Sequence, residues 1–148
     1  ISTDEVVNAE NIMGATKKIA EIATKIYGRT SVRFGNVMGS RGSLLMIWAK
    51  QFAEGKPLTI TDERMERYFM SIPEAVNLVI EASRIGKGGE VMILDMGKPK
   101  KIIDLKKELY GDYPVRMIGI REGETLTEKL MTDAEAQRAR KVGNFFII

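Results

Sequence analysis

The sequence predicts an α/β fold, and three observations carry the prediction. Segments whose apolar residues recur every three or four positions alternate with short apolar runs of strand length. Glycine and proline fall at the joins between them. The chain has 148 residues, 44% of them hydrophobic and 29% charged, which is enough to build a buried core under an ordinary polar surface.

The elements follow in order. "IST" reads as the tail of an apolar strand. From Asn8 to Tyr27 the residues Ile12, Ala15, Ile19, Ile22, Ala23 and Ile26 mark one helical stripe, expected to be buried. Asn8 suits the N-cap of that helix and Gly28 its end. "SVRFGNV" reads as a strand running into a loop, and a second helix is expected from Ser43 to about Ala53, closed by Gly55 and Pro57. "LTITDERMERYFMSI" predicts two short extended pieces around a charged turn. Pro73 then opens the helix "PEAVNLVIEASRIG". "EVMILDMG" has the pattern of a strand buried on both faces. A helix from Ile102 to Tyr110, a strand "VRMIGI", one or two helices from Leu126 to about Lys141 and a strand "FFII" complete the order. Trp48, Met92 and Met96 read as core residues.

Composition excludes several kinds of chemistry. With no cysteine and no histidine there is no disulfide, no zinc site and no histidine-based triad. Asp, Glu, Lys, Tyr, Ser and Thr must carry any reaction. The net charge is +3, from 23 basic and 20 acidic residues that interleave, and the densest basic run, "GKPKK", reads as a solvated loop rather than a nucleic-acid contact. No apolar run reaches the roughly eighteen residues that span a bilayer, so a cytoplasmic setting is expected.

The chemistry gathers near the start. "STDE" places Asp4 and Glu5 at a strand end, and "MGATK" places Met13 and Lys17 one turn apart on the next helix. In open α/β sheets, ligands bind at the carboxyl ends of strands. On spacing alone, turn carboxylates and a solvated lysine explain these residues better than a site does.

Taken together, "STDEVVNAENIMGATKK", "RFGNVMGSRGS", "PLTITDERMERYFMSIPEAVNLV", "GKGGEVMILDMGKPKKIIDL" and "REGETLTEKL" resemble the UDP-N-acetylglucosamine 4,6-dehydratases, the polysaccharide-biosynthesis branch of the extended short-chain dehydrogenases. The resemblance spans nearly the whole chain, in order. It implies the C-terminal part of an NAD(P)-binding Rossmann-fold enzyme: the end of the Rossmann sheet at about 1–45 and a nucleotide-sugar-binding subdomain at about 46–148. The glycine-rich turn that receives the cofactor pyrophosphate has no counterpart in the sequence, so a piece of a longer protein is expected. The implied cofactor is NAD or NADP and the implied partner a UDP-sugar, with no nucleic acid, no membrane contact from this part and a homo-oligomer at full length.

The resemblance also implies a reaction. Sugar C4 is oxidised, the ketone acidifies the C5 proton, water leaves across C5 and C6, and the hydride returns to C6. Thr3, Asp4, Glu5 and Lys17 take the catalytic positions, Asp4 and Glu5 as acid and base with their protonation states set apart. Lys17 and the Val37 backbone take cofactor positions. Asn36, Arg67 and Arg121 take positions near the substrate diphosphate, and Glu124 one near the ribose hydroxyls. Two departures stand out. Met13 occupies the superfamily's tyrosine position and cannot exchange a proton, which leaves the C4 hydroxyl to Asp4 or Thr3. Many members have Asp-Lys where this chain has Asp4-Glu5, and the Asp-Glu pair is instead similar to dTDP-glucose 4,6-dehydratases, leaving the outcome at C5 open. An epimerase on the same scaffold and a non-catalytic sugar-nucleotide binder are the alternatives.

Overall fold

The structure is a computed structural model describing residues 1–148. In chain order, its elements begin with β1 (Ser2–Thr3), a single 3₁₀ turn (Asp4–Val6), α1 (Ile12–Ile26), β2 (Ser31–Phe34), β3 (Asn36–Val37) and α2 (Leu44–Ala53). There follow β4 (Leu58–Ile60), β5 (Glu66–Arg67), β6 (Phe69–Met70), α3 (Ile72–Ile85), β7 (Val91–Leu94) and β8 (Lys100–Lys101). The last are α4 (Ile102–Tyr110), β9 (Val115–Met117), α5 (Asp133–Arg138), β10 (Arg140–Val142) and β11 (Phe145–Ile147).

The chain packs as two compact units that interleave along the sequence, rather than dividing once near residue 45. The first comprises Ile1–Gly35, Pro73–Gly97 and Lys129–Ile148; the second comprises Asn36–Ile72 and Lys98–Glu128. The physical reason is sheet pairing, because the late strands β7, β10 and β11 join the early strands β1 and β2 in one sheet.

In the first unit the strand order is β1-β2-β7-β11-β10. β1, β2 and β7 run parallel, while β11 pairs antiparallel with both β7 and β10. Val32, Met92, Ile93, Phe145 and Ile147 form its apolar interior, and α3 contributes Ala75, Leu78 and Ala82. In the second unit Trp48, Leu58, Ile60, Met65, Ile102 and Leu105 form the core. Trp48 is fully buried there and donates its indole N–H to the Thr59 carbonyl at 2.9 Å, so its one polar atom is satisfied.

Several expectations are corrected. The N-cap of α1 is Asn11, not Asn8, and its side chain accepts from the Gly14 N–H. The apolar stripe of α1 is exposed, with Ile12 at 84% and Ile26 at 76%, while Gly14 and Glu21 are buried instead. The region from Leu126 to Lys141 holds one short helix, α5, and Arg140–Val142 is a strand. "LTITDERMERYFMSI" holds three short strands where two extended pieces were expected, and Lys100–Lys101 of the basic run pairs with β5.

The orientation of α1 follows from one buried cation. Arg33 lies in the middle of the sheet, opposite Ser2 on one side and Ile93 on the other, and is fully buried. Its Nε and Nη2 donate to the Glu21 carboxylate at 3.0 and 2.8 Å. Nη1 and Nη2 donate to Glu135 at 3.0 and 3.1 Å, and Nη1 also donates to the Leu130 carbonyl at 3.0 Å. These contacts occupy all the N–H donors of a guanidinium. Lys18, 3.9 Å from Glu21 and 3.7 Å from Glu135, brings the cluster of two cations and two carboxylates to neutrality. A helix that must deliver Glu21 to Arg33 turns its isoleucines the other way.

Burial pushes the Glu135 carboxyl up, but hydrogen bonds from Arg33 and the Thr132 backbone, with the charges of Arg33 and Lys18, outweigh it and hold the group at about 2, below its ordinary 4.5. Its folded value lies below its unfolded one, so its stabilisation is complete above pH 4.5 and is lost as pH falls through about 2. Thermal melts across that window should show the midpoint falling with acid, and Glu135→Gln should flatten the dependence while lowering the neutral-pH midpoint.

Candidate active site

In the first unit, β1 ends at Thr3 and the 3₁₀ turn sets Asp4 and Glu5 at the carboxyl end of a parallel strand. Thr3 Oγ1 donates to Asp4 Oδ1 at 2.9 Å and accepts from the Glu5 N–H at 3.4 Å, so its hydrogen is aimed at Asp4. Asp4 is buried, and no donor reaches its Oδ2. That oxygen can carry a hydrogen without displacing an N–H or O–H. Glu5 is half-buried, and its Oε2 accepts from Asn11 Nδ2 at 2.8 Å.

Gly14 explains how α1 comes so near this turn. A Cβ there would lie 2.8 Å from the Glu5 carbonyl oxygen and 3.3 Å from Ala9 Cα, so only glycine fits. Met13 and Lys17 are both exposed on α1, and the Lys17 ammonium makes no hydrogen bond or ion pair.

In the second unit, Asn36 and Met38 donate their N–H groups to the Tyr68 and Met70 carbonyls at 2.9 and 2.8 Å. Strand alternation turns the Val37 N–H between them away from β6. The Arg67 guanidinium is largely committed: Nη1 donates to the Glu66 and Leu126 carbonyls, Nη2 to that of Thr125 at 2.9 Å, and Nε pairs with Glu128 at 2.9 Å. One Nη2 hydrogen remains for a ligand. Arg121 differs, because its guanidinium is exposed and makes no ion pair. Arg121 and Glu124 close a tight turn. The Glu124 N–H donates to the Arg121 carbonyl at 3.1 Å, and the Arg121 N–H donates to Glu124 Oε2 at 3.2 Å.

Two residues that sequence reasoning passed over belong to this description. Asn11 joins the cap of α1 to Glu5. Glu128 receives both Arg67 Nε and, at 3.4 Å, Asn36 Nδ2. A polar residue just before "IMGATK" was the available signal for the first; for the second it was the acidic residue in "TEKL".

Taken separately, each unit holds one group of a kind that suits a nicotinamide cofactor: the first an uncommitted Lys17 ammonium, which matches ribose hydroxyls, and the second an outward Val37 N–H, which matches a carboxamide. No glycine-rich turn opening a helix is present for the pyrophosphate.

A family model described as polysaccharide biosynthesis protein matches residues 1–148. The chain is 46% identical over 149 residues to the capsular polysaccharide biosynthesis protein CapD of Staphylococcus aureus, covering 91% of this chain and 25% of that protein. It is 35% identical over 158 residues to the UDP-N-acetylglucosamine 4,6-dehydratase (inverting) of Campylobacter jejuni, and 34% identical over 162 residues to a UDP-glucose 4-epimerase of Rickettsia bellii. Each of these two alignments covers 100% of this chain and 47% of the relative. The chain thus spans half the length of these relatives or less. Among solved structures, Pen from Bacillus thuringiensis superposes with a TM-score of 0.92 at 36% identity, over 99% of this chain and 49% of that one. DesIV, a dTDP-glucose 4,6-dehydratase from Streptomyces venezuelae solved with NAD and TYD bound, superposes with a TM-score of 0.73 at 18% identity, over 87% of this chain and 49% of that one, which shows a shared fold. No helix is long and apolar enough to cross a membrane. With a family model matched from end to end and the sheet of an extended short-chain dehydrogenase, the chain belongs to the polysaccharide biosynthesis protein family, related to the nucleotide-sugar dehydratases and epimerases.

Proposed function

We propose that the chain carries the catalytic carboxylates and sugar-nucleotide groups of a longer cytoplasmic enzyme that converts UDP-N-acetylglucosamine, or a related UDP-HexNAc, into its 4-keto-6-deoxy product for polysaccharide or glycan synthesis. The observation that carries this reading is the adjacent pair Asp4 and Glu5, two carboxylates at one strand end with different hydrogen-bond partners. An elimination needs an acid and a base at neighbouring carbons, and this pair supplies both.

NAD or NADP, when bound, supplies the hydride acceptor at C4 and donor at C6. The chain's own residues handle the protons. Met13 cannot take the C4 hydroxyl proton, so Thr3 relays it along its hydrogen bond to Asp4. Asp4 then holds the proton that the departing C6 hydroxyl needs. Glu5 removes the C5 proton and, once the hydride has arrived at C6, returns a proton to C5. Lys17 orients the nicotinamide ribose and adds positive potential.

The second unit supplies the groups for the nucleotide. Glu128 already compensates Arg67, whereas nothing compensates Arg121, so Arg121 carries most of the attraction for the diphosphate. Arg67 and Asn36 contribute position, and Glu124 accepts from the ribose hydroxyls. In the full-length enzyme Arg121→Ala should raise KM for the nucleotide sugar by about 10-fold or more, with kcat little changed, and Arg121→Lys should restore part of the loss. An unchanged KM in steady-state kinetics assigns Arg121 to the surface.

A second reading, a nucleotide-sugar 4-epimerase, draws on the 34% identity to the Rickettsia bellii protein. Incubating the full-length protein with UDP-N-acetylglucosamine and cofactor, and identifying the product by NMR, separates the two. A 4-keto-6-deoxy sugar supports the dehydratase; a C4 epimer with its C6 hydroxyl intact overturns it.

A further inference from the structure

Glu5 is held by a residue that lies between the two stretches carrying the chemistry, STDE and MGATK. Asn11 has an extended backbone (φ −128°, ψ 167°) and caps α1, its Oδ1 accepting from the Gly14 N–H at 2.8 Å. Its Nδ2 lies 2.8 Å from Glu5 Oε2. Both contacts fix the same orientation of the carboxamide. Flipped, it would set an NH₂ group against the Gly14 N–H and an oxygen against the carboxylate, two clashes of like polarity. The cap therefore dictates that Asn11 presents a donor, and only a donor, to Glu5.

We propose that Asn11 is a positioning residue for Glu5, fixing one oxygen of its carboxylate so that the other meets the substrate. The role rests on the proposed function, in which Glu5 is the C5 base, but the contact itself does not. The close approach at Gly14 adds a second constraint, since α1 presses against the Glu5 backbone there. Glu5 is thus held by main chain and side chain to the same helix end. An N–H donor on Oε2 suits a carboxylate that must begin ionised and accept a proton.

The test separates the cap from the clamp. Asn11→Ser and Asn11→Asp both retain good N-cap residues, and neither offers an amide N–H to Glu5. In the full-length enzyme both should melt within about 2 °C of wild type and keep KM for UDP-N-acetylglucosamine within about 2-fold. Serine should lower kcat by about 10- to 100-fold, the scale expected when a reacting group drifts by an ångström. Aspartate should lower it further, since it sets a second carboxylate against the first. A kcat within about 3-fold of wild type in both variants overturns the proposal, as does a loss of kcat that tracks a loss of melting temperature. A second arm needs no turnover: the ¹³C carboxyl resonance of Glu5, assigned by its disappearance in Glu5→Gln, should move in Asn11→Ser. If wild type makes no dehydrated product, the functional reading fails while this resonance still reports whether Asn11 holds Glu5. A resonance unmoved by Asn11→Ser overturns the inference.

Discussion

Arg33→Leu should lower folding stability by about 3–5 kcal/mol, the cost of stranding buried charges after one partner is removed. The loss follows from what the guanidinium satisfies. Glu21 and Glu135 each accept two of its hydrogen bonds, and the Leu130 carbonyl accepts another. Leucine leaves two carboxylates facing each other within the first unit, with only the half-exposed Lys18 nearby. Urea unfolding of the full-length protein, followed by tryptophan-independent circular dichroism, should show the lowered midpoint. A triple variant, Arg33→Met with Glu21→Leu and Glu135→Leu, should recover much of it, because exchanging the whole cluster removes the desolvation cost together with the attraction. If the single and triple variants are equally destabilised, the loss comes from packing volume rather than stranded charge.

That cluster also shows where the sequence is silent. "SVRF" announces a strand, yet the partners of Arg33 lie 12 and 102 residues away, so no local spacing marks the arginine as buried. The stripe on α1 is real as a pattern, but periodicity states only that one face is apolar; burial is decided by what the rest of the chain packs against it. Here Glu21 and Gly14 face inward. The cap was placed at Asn8 rather than Asn11 for a similar reason. Asn8 and Asn11 both precede the helix, and the decision falls to a contact between Asn11 and Glu5 that propensity does not encode.

Other features were legible. α4 runs from Ile102 to Tyr110 as its pattern predicts, with Gly111 at φ 54° past its end, and α2 begins after Ser43. The central placement of β7 follows from its continuous apolar run. Near the end of the chain, two signals were present and unread. Thr132 and Glu135 form a capping box that starts α5 at Asp133, and Gly143-Asn144 is a two-residue turn joining β10 to β11, with Gly143 at φ 57°. The position of the candidate site was legible because adjacent carboxylates keep their place at a strand end. Its supports were not, because Asn11 and Glu128 act through contacts formed only in the folded chain.

Glu5→Gln should halt the reaction after C4 oxidation. Glutamine keeps the length of the side chain and can still face Asn11, but it cannot accept the C5 proton. The C4 hydroxyl proton still has Thr3 and Asp4 to receive it, so 4-ketosugar should form and persist. Dehydrated product should appear about 10²- to 10⁴-fold more slowly, the usual cost of losing one positioned base. Run in deuterated water, wild type should place deuterium at C5 of the product, whereas in the variant the C5 proton of recovered ketosugar should remain. Asp4→Asn supplies the contrast. Without a carboxylate beside Thr3, the C4 proton has no acceptor, so neither ketosugar nor product should accumulate. Turnover of Glu5→Gln within a few-fold of wild type would remove Glu5 from the role of base. Identical behaviour of the two variants, with no ketosugar in either, would show that Asp4 and Glu5 act as one unit rather than in sequence.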